Sequence, residues 1–82
     1  MSDTMTNEEL AAKVVDTFLP ASVDTLRVLA GNAALVANRH RALAMELRGG
    51  PGSAVEWEAA ERYGAIRNRL LELIASERLA DY

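Results

Sequence analysis

The chain contains no cysteine, and this absence limits how so small a protein can be stabilised. Neither a disulfide framework nor a thiolate metal site can form. At 82 residues there is room for one domain, and chains below about 80 residues without such cross-links often need a partner to bury enough surface. A lack of cysteine also fits a reducing compartment, so we predict a cytoplasmic protein.

Membrane and nucleic-acid signals are missing as well. No basic stretch followed by an apolar run marks a signal peptide, and no apolar run approaches the about 18 residues of a membrane span. The net charge of -3 comes from 9 basic and 12 acidic residues, a balance that argues against a non-specific nucleic-acid binder. Abundant alanine, and arginine in preference to lysine, indicate a GC-rich bacterial or phage genome.

The N-terminal third predicts a disordered tail over 1–6 and a short helix over 7–19. Thr6 and Glu9 have the S/T-x-x-E spacing of a capping box, in which each side chain accepts a hydrogen bond from the other residue's amide. Pro20 cannot continue a helix. The apolar stripe of this helix is Leu10, Val14 and Phe18, with Ala11 and Val15 beside it.

A longer helix is predicted over 22–48, starting from Ser22 as N-cap. With Leu26 at heptad position a, apolar residues recur at a and d with one polar exception, and we expect these positions to form the core. Gly49 and Gly50 then supply the C-terminal stop, and Pro51 prevents resumption. The a positions are Leu26, Ala33, His40 and Leu47, the d positions are Leu29, Val36 and Leu43, and Ala30, Ala37 and Ala44 occupy e.

A third helix is predicted over 54–80 after a turn at 49–53. Ser53 and Glu56 have the spacing of a second capping box. So short a connection predicts that the two long helices are antiparallel neighbours, which places His40 near Tyr63. The predicted apolar stripe is Ala59, Tyr63, Ile66, Leu70 and Leu73, with Ala60, Ile74 and Ala80 alongside.

The predicted fold is therefore all-α, with a short N-terminal helix and a long antiparallel helical hairpin. A hairpin buries only one side of each helix, yet the alanines at e widen the apolar face of the second helix. The third helix carries a second apolar flank, formed by Trp57, Ala60, Gly64 and Leu71. We therefore expect the chain to dimerise into an assembly like a four-helix bundle.

His40 is the only histidine and occupies a core-type position. Histidine can act as a proton shuttle, a pH sensor or a metal ligand. The residues three and four before it are Ala37 and Val36, so the Glu-x-x-His pattern of helical metal sites is absent. We interpret His40 as a half-buried residue that hydrogen-bonds to Tyr63 or to its symmetry mate and sets register or pH response.

Candidate partner-binding residues are aromatic, apolar or basic. Tryptophan is enriched at interface hot spots, although near a hairpin turn it can instead cap the core. Arginines near the middle of the hairpin could bind phosphate or an acidic surface, although nearby glutamates favour ordinary solvated faces. The candidates are Trp57, Leu71, Phe18, Arg39, Arg41 and Arg67.

We predict a protein that is not an enzyme and that has no catalytic, cofactor or metal site. The segment 49–53 lacks the Gly-Lys-Ser/Thr ending of a phosphate-binding loop. The predicted function is a non-catalytic protein–protein interaction module, a small homo-oligomeric regulator, adaptor or inhibitor that binds another protein. The alternatives are a nucleic-acid-associated regulator that uses the central arginines, and a small enzyme with a dimer-interface site around His40, Arg39 and Tyr63.

Overall fold

A computed structural model describes residues 5–80 of the chain, and the side chains of residues 5–76. Within these residues all regular secondary structure is helical, which confirms the prediction of an all-α protein. The helices are α1 (Asn7–Asp16), α2 (Val23–Glu46) and α3 (Ser53–Ala80). Residues 1–4 of the predicted tail lie outside the described residues, as does the side chain of Ala80.

The capping box at the start of α1 is confirmed. Thr6 Oγ1 accepts a hydrogen bond from the Glu9 amide at 3.1 Å, and Glu9 Oε1 accepts one from the Thr6 amide at 3.0 Å. The bonds from the amide and the side chain of Thr6 lower the pKa of the Glu9 carboxyl below its usual value, since they favour the charged form. Thr6 therefore belongs to the capped start of α1 rather than to a tail.

The first helix ends at Asp16, earlier than the predicted end at residue 19. The amides of Phe18 and Leu19 bond to carbonyls three residues back, at 2.9 and 3.2 Å. The Thr17 hydroxyl also donates to the Val14 carbonyl, at 2.6 Å. The chain thus tightens into turns of the 3₁₀ type before Pro20, as helix ends commonly do when their last carbonyls lack α-helical partners.

The second and third helices pack as a hairpin. Ser22 caps α2 by accepting a hydrogen bond from the Thr25 amide at 3.1 Å. The connection occupies residues 47–52, where Gly49 and Gly52 have φ angles of 68° and 94°. Glycine adopts such left-handed angles without steric cost, which explains how so short a segment reverses the chain.

The predicted capping box at the start of α3 is wrong. Ser53 is already helical, and its hydroxyl donates to the Ala44 carbonyl across the hairpin at 3.3 Å. The Glu56 amide bonds to the Gly52 carbonyl at 3.0 Å. The Glu56 carboxylate instead contacts His40 of α2 through Oε1.

The seam of the hairpin follows the a and e positions of α2. The predicted a/d core is therefore confirmed at Leu26 and Ala33 but wrong at the d positions. Leu29 and Val36 are only half-buried, and Leu43, which we expected to be covered, is 38% exposed. Because alanine side chains are small, they let the backbone of α3 approach α2 closely. The two helices therefore pack through the alanines at e. The buried residues of α2 are Leu26, Ala30, Ala33, Ala37 and Ala44.

The third helix lies in the middle of the fold. It packs against α2 and also against α1, whereas no Cα of α1 comes within 8 Å of a Cα of α2 among the described residues. The buried cluster lies where the three helices approach one another and consists of Val15, Leu26, Ala30, Leu70 and Ile74. In the described residues, α1 and α2 therefore lie further from each other than either lies from α3.

The larger apolar side chains of α1 do not lie on the side of the helix that is buried. Of the predicted apolar stripe, Ala11 and Val15 are buried, whereas Leu10, Val14 and Phe18 remain more than a third exposed. In α3 the predicted stripe is covered unevenly, since Leu70 is buried but Tyr63 is exposed. A three-helix monomer thus uses many small residues for its core and leaves larger apolar side chains outside it.

Candidate interaction surfaces

An apolar groove lies between α1 and α2, with α3 as its floor. Its volume is about 200 Å³, and the side chains that shape it are Val14 and Phe18 from α1 and the turn after it, Leu29 and Val36 from α2, and Tyr63 and Ile66 from α3. Phe18 is 49% exposed at one edge. We refer to this surface as the apolar groove.

The apolar groove carries no charged side chain among the described residues that line it. Asn32 and Tyr63 are the described lining residues that have a polar side-chain group. Concave apolar surfaces with few polar groups are typical of binding sites for ligands or for helices of other chains. Such a lining can bury apolar side chains of a partner.

At the turn end of the groove, His40 contacts α3 through two residues. Its ring stacks on Tyr63 with centroids 5.7 Å apart and planes 12° apart, so the antiparallel register brings these two residues together as predicted. Its hydrogen-bond partner, however, is not Tyr63, because Nδ1 lies 2.5 Å from Oε1 of Glu56. The His40–Glu56 bond joins the two helices of the hairpin and fixes their relative position.

The opposite side of α3 carries a second surface, which we call the tryptophan face. Trp57 is 41% exposed beside Arg41, Glu61 and Gly64, around a shallow depression of about 340 Å³. Leu71, which is 50% exposed, lies two turns beyond Gly64 on the same side of the helix. Trp57 and Arg41 therefore share one surface, which Leu71 extends along α3, and this surface is more polar than the apolar groove.

The remaining candidate arginines do not join them in one patch. Arg39 lies two positions from Arg41, so their side chains leave α2 about 200° apart. Arg67 is half-buried, and its guanidinium donates to the Asn68 side chain at 3.2 and 3.0 Å. Arg69 lies 3.7 Å from Glu72 of the same helix. The basic side chains are thus distributed around the hairpin, several of them beside acidic or amide groups.

In the part of the chain that the structure describes, no group of three or more His, Asp or Glu side chains is arranged to hold a metal ion. Nor does that part contain a helix with enough length and apolar character to cross a membrane. Comparisons with protein-family models, with curated proteins and with solved structures gave no match. The surfaces themselves are therefore the guide to function.

Sequence reasoning missed the apolar groove because it placed the groove's lining in the core. Leu29, Val36, Tyr63 and Ile66 have the regular spacing of core residues, and nothing local indicates that the hairpin closes beside them. The signal that could have revealed the groove was the width of the apolar face of α2, which includes the alanines at e as well as the large residues at d.

Proposed function

We propose that this chain is a non-catalytic protein–protein interaction module: a small homo-oligomeric helical regulator, adaptor or inhibitor that binds another protein. The observation that supports this most is the orientation of the larger apolar stripes. All three helices contribute large apolar side chains to one groove, where Val14, Phe18 and Tyr63 remain more than a third exposed. Surfaces of this kind on small proteins are characteristic of interaction sites.

The two surfaces suit two different contacts. The apolar groove has no charged lining and can lose its water without leaving unpaired charges. The tryptophan face combines an exposed indole with Arg41 and Glu61, and tryptophan and arginine are frequent at interface hot spots. A module with one apolar and one mixed surface can associate with itself and still present a surface to another protein.

Affinity capture with matched baits tests the binding of another protein. Leu71→Ser changes the tryptophan face, and Leu35→Ser is its control because Leu35 is an exposed leucine of α2 outside both surfaces. We expect a partner from the native host to be retained by the wild type and by Leu35→Ser, and to be lost with Leu71→Ser.

The proposal fails if the wild type neither associates with itself nor retains any protein that Leu71→Ser loses. Binding to duplex DNA in the same host extract, with an affinity that falls steeply as salt rises, would instead favour a nucleic-acid-associated regulator, since phosphate contacts release counterions. Circular dichroism of all three baits verifies that each is helical.

A further inference from the structure

Several large apolar side chains around the groove remain exposed in the described residues. Val14 is 40% exposed, Phe18 is 49% exposed and Leu43 is 38% exposed. Apolar side chains that lie together on one exposed surface mark sites where a partner binds.

The arrangement of the helices leaves this surface uncovered. Among the described residues, no Cα of α1 comes within 8 Å of a Cα of α2, although residues of both helices line the apolar groove.

The groove side of α2 carries a seam at heptad spacing. Leu29 and Val36 line the apolar groove, and Leu43 continues their line one heptad further. Apolar residues repeated every seven positions are the pattern by which one long helix packs along another. Within the described residues this line lacks such a helix, because the hairpin closes on the a and e positions instead.

The composition of the groove favours the same surface of a second copy as its occupant. In a two-fold dimer each patch meets itself, so any charge near the axis faces its own like charge. The described lining of the apolar groove contains no charge, and two copies can meet there without that repulsion. The tryptophan face contains Glu8, Glu61 and Arg41, and is less suited to meeting itself.

We infer that the apolar groove is the homodimer interface: two copies pack groove against groove about a two-fold axis, and the line Leu29, Val36 and Leu43 is buried between them together with Val14 and Phe18. This inference rests on the self-association in the proposed function and adds which surface mediates it. The tryptophan face then remains open for a different protein.

Two matched pairs of variants test the assignment by sedimentation equilibrium across micromolar concentrations. Val14→Asp changes the groove, and Val28→Asp introduces the same substitution at an exposed valine of α2 outside it. Phe18→Ser and Trp57→Ser remove one aromatic residue from the groove and one from the tryptophan face. Phe18 lies two residues after the last residue of α1, so Phe18→Ser remains informative if Val14→Asp fails to fold.

We expect the wild type to be a dimer. Each groove variant should raise the dissociation constant of the dimer at least about a hundredfold, because a symmetric interface contains the substituted position twice and loses apolar contact or gains a charge at both. Val28→Asp and Trp57→Ser should change it less than about tenfold. Circular dichroism verifies that the variants retain their helices.

Each contrary result has a distinct meaning. If the wild type dimerises but Trp57→Ser or Val28→Asp weakens it as much as the groove variants do, the groove assignment is overturned while self-association stands. If Phe18→Ser folds and dimerises like the wild type, the assignment is again overturned. A wild type that stays monomeric throughout overturns both this inference and the self-association in the proposed function.

Discussion

Two leucines of α2 provide a direct test of which side of this helix forms the core. Leu26, at an a position, is 2% exposed and belongs to the central cluster, whereas Leu43, at a d position, is 38% exposed. Leu26→Ala and Leu43→Ala remove the same atoms from the same helix. The difference between their effects on the free energy of unfolding therefore reports on burial.

The magnitudes follow from the exposed fractions. Truncation of leucine to alanine removes about three carbon atoms, worth about 2.4 kcal/mol of transfer free energy when fully buried. A cavity adds to this at Leu26, so Leu26→Ala should cost about 3–4 kcal/mol, within the range for buried leucines. Leu43 has lost roughly 60% of its accessible surface in the monomer, so Leu43→Ala should cost at most about 1.5 kcal/mol there.

Urea unfolding followed by far-ultraviolet circular dichroism measures both losses, and it should be repeated at several protein concentrations. Because the proposed dimer covers Leu43, the loss caused by Leu43→Ala should grow with concentration, while that caused by Leu26→Ala should already be large in the monomer. Equal losses at the lowest concentration would refute the a/e seam. A Leu43→Ala loss that never varies with concentration would contradict its burial between two copies.

Three further predictions concern single positions. Gly31→Ala should stabilise the fold by about 0.5–1 kcal/mol, because Gly31 is helical and a Cβ there meets no atom within 4 Å. Gly49→Ala should destabilise the fold, because the φ angle of Gly49 is 68°. Urea unfolding should therefore show changes of opposite sign in the free energy of unfolding. A double-mutant cycle of His40→Ala and Glu56→Ala should give a coupling of about 0.5–1.5 kcal/mol, and additive losses would mean that the bond contributes nothing. The pKa of Glu9 is lowered in the folded chain, so the ionised carboxylate stabilises the fold. This contribution is present above the ordinary pKa near 4.5 and is lost as pH falls through the folded value. Glu9→Gln should remove this pH dependence, as measured by acid titrations of helicity.

The three helices were predictable because the signals that start and stop them are local. Thr6 with Glu9, and Ser22 with the amide of Thr25, cap their helices through side chains within three residues. Gly49 marks the reversal because few other residues adopt its φ angle. Such features depend on the adjacent chain alone.

The choice of seam was not predictable from the pattern, because the a/d and a/e sides of α2 differ by only about 50° around the helix axis. Hydrophobicity favours the leucines and valine at d, while close approach of two backbones favours the alanines at e. Which effect prevails depends on the side chains that α3 presents, and these include Ala60 at the buried interface. Ala37 is fully buried for the same reason.

The His40–Glu56 contact was not predicted because the Glu56 carboxylate can either cap α3 or bind His40. Glu56 lies three residues after Ser53, and this spacing suggested a capping box, but the same carboxylate can reach His40 once the hairpin closes. The apolar groove was missed for a different reason. It exists only because α1 packs on α3 without covering α2, and no spacing within a single helix determines that arrangement.

The short turn at residues 47–52 also has a kinetic consequence. The Ser53–Ala44 bond and the His40–Glu56 contact close loops of few residues, whereas Leu26 and Ile74 meet at the far end of the hairpin. Because closing a longer loop costs more chain entropy, we expect the transition state for folding to be structured near the turn first. Destabilising substitutions around Ala44 should then mainly slow folding, and those around Leu26 should mainly speed unfolding.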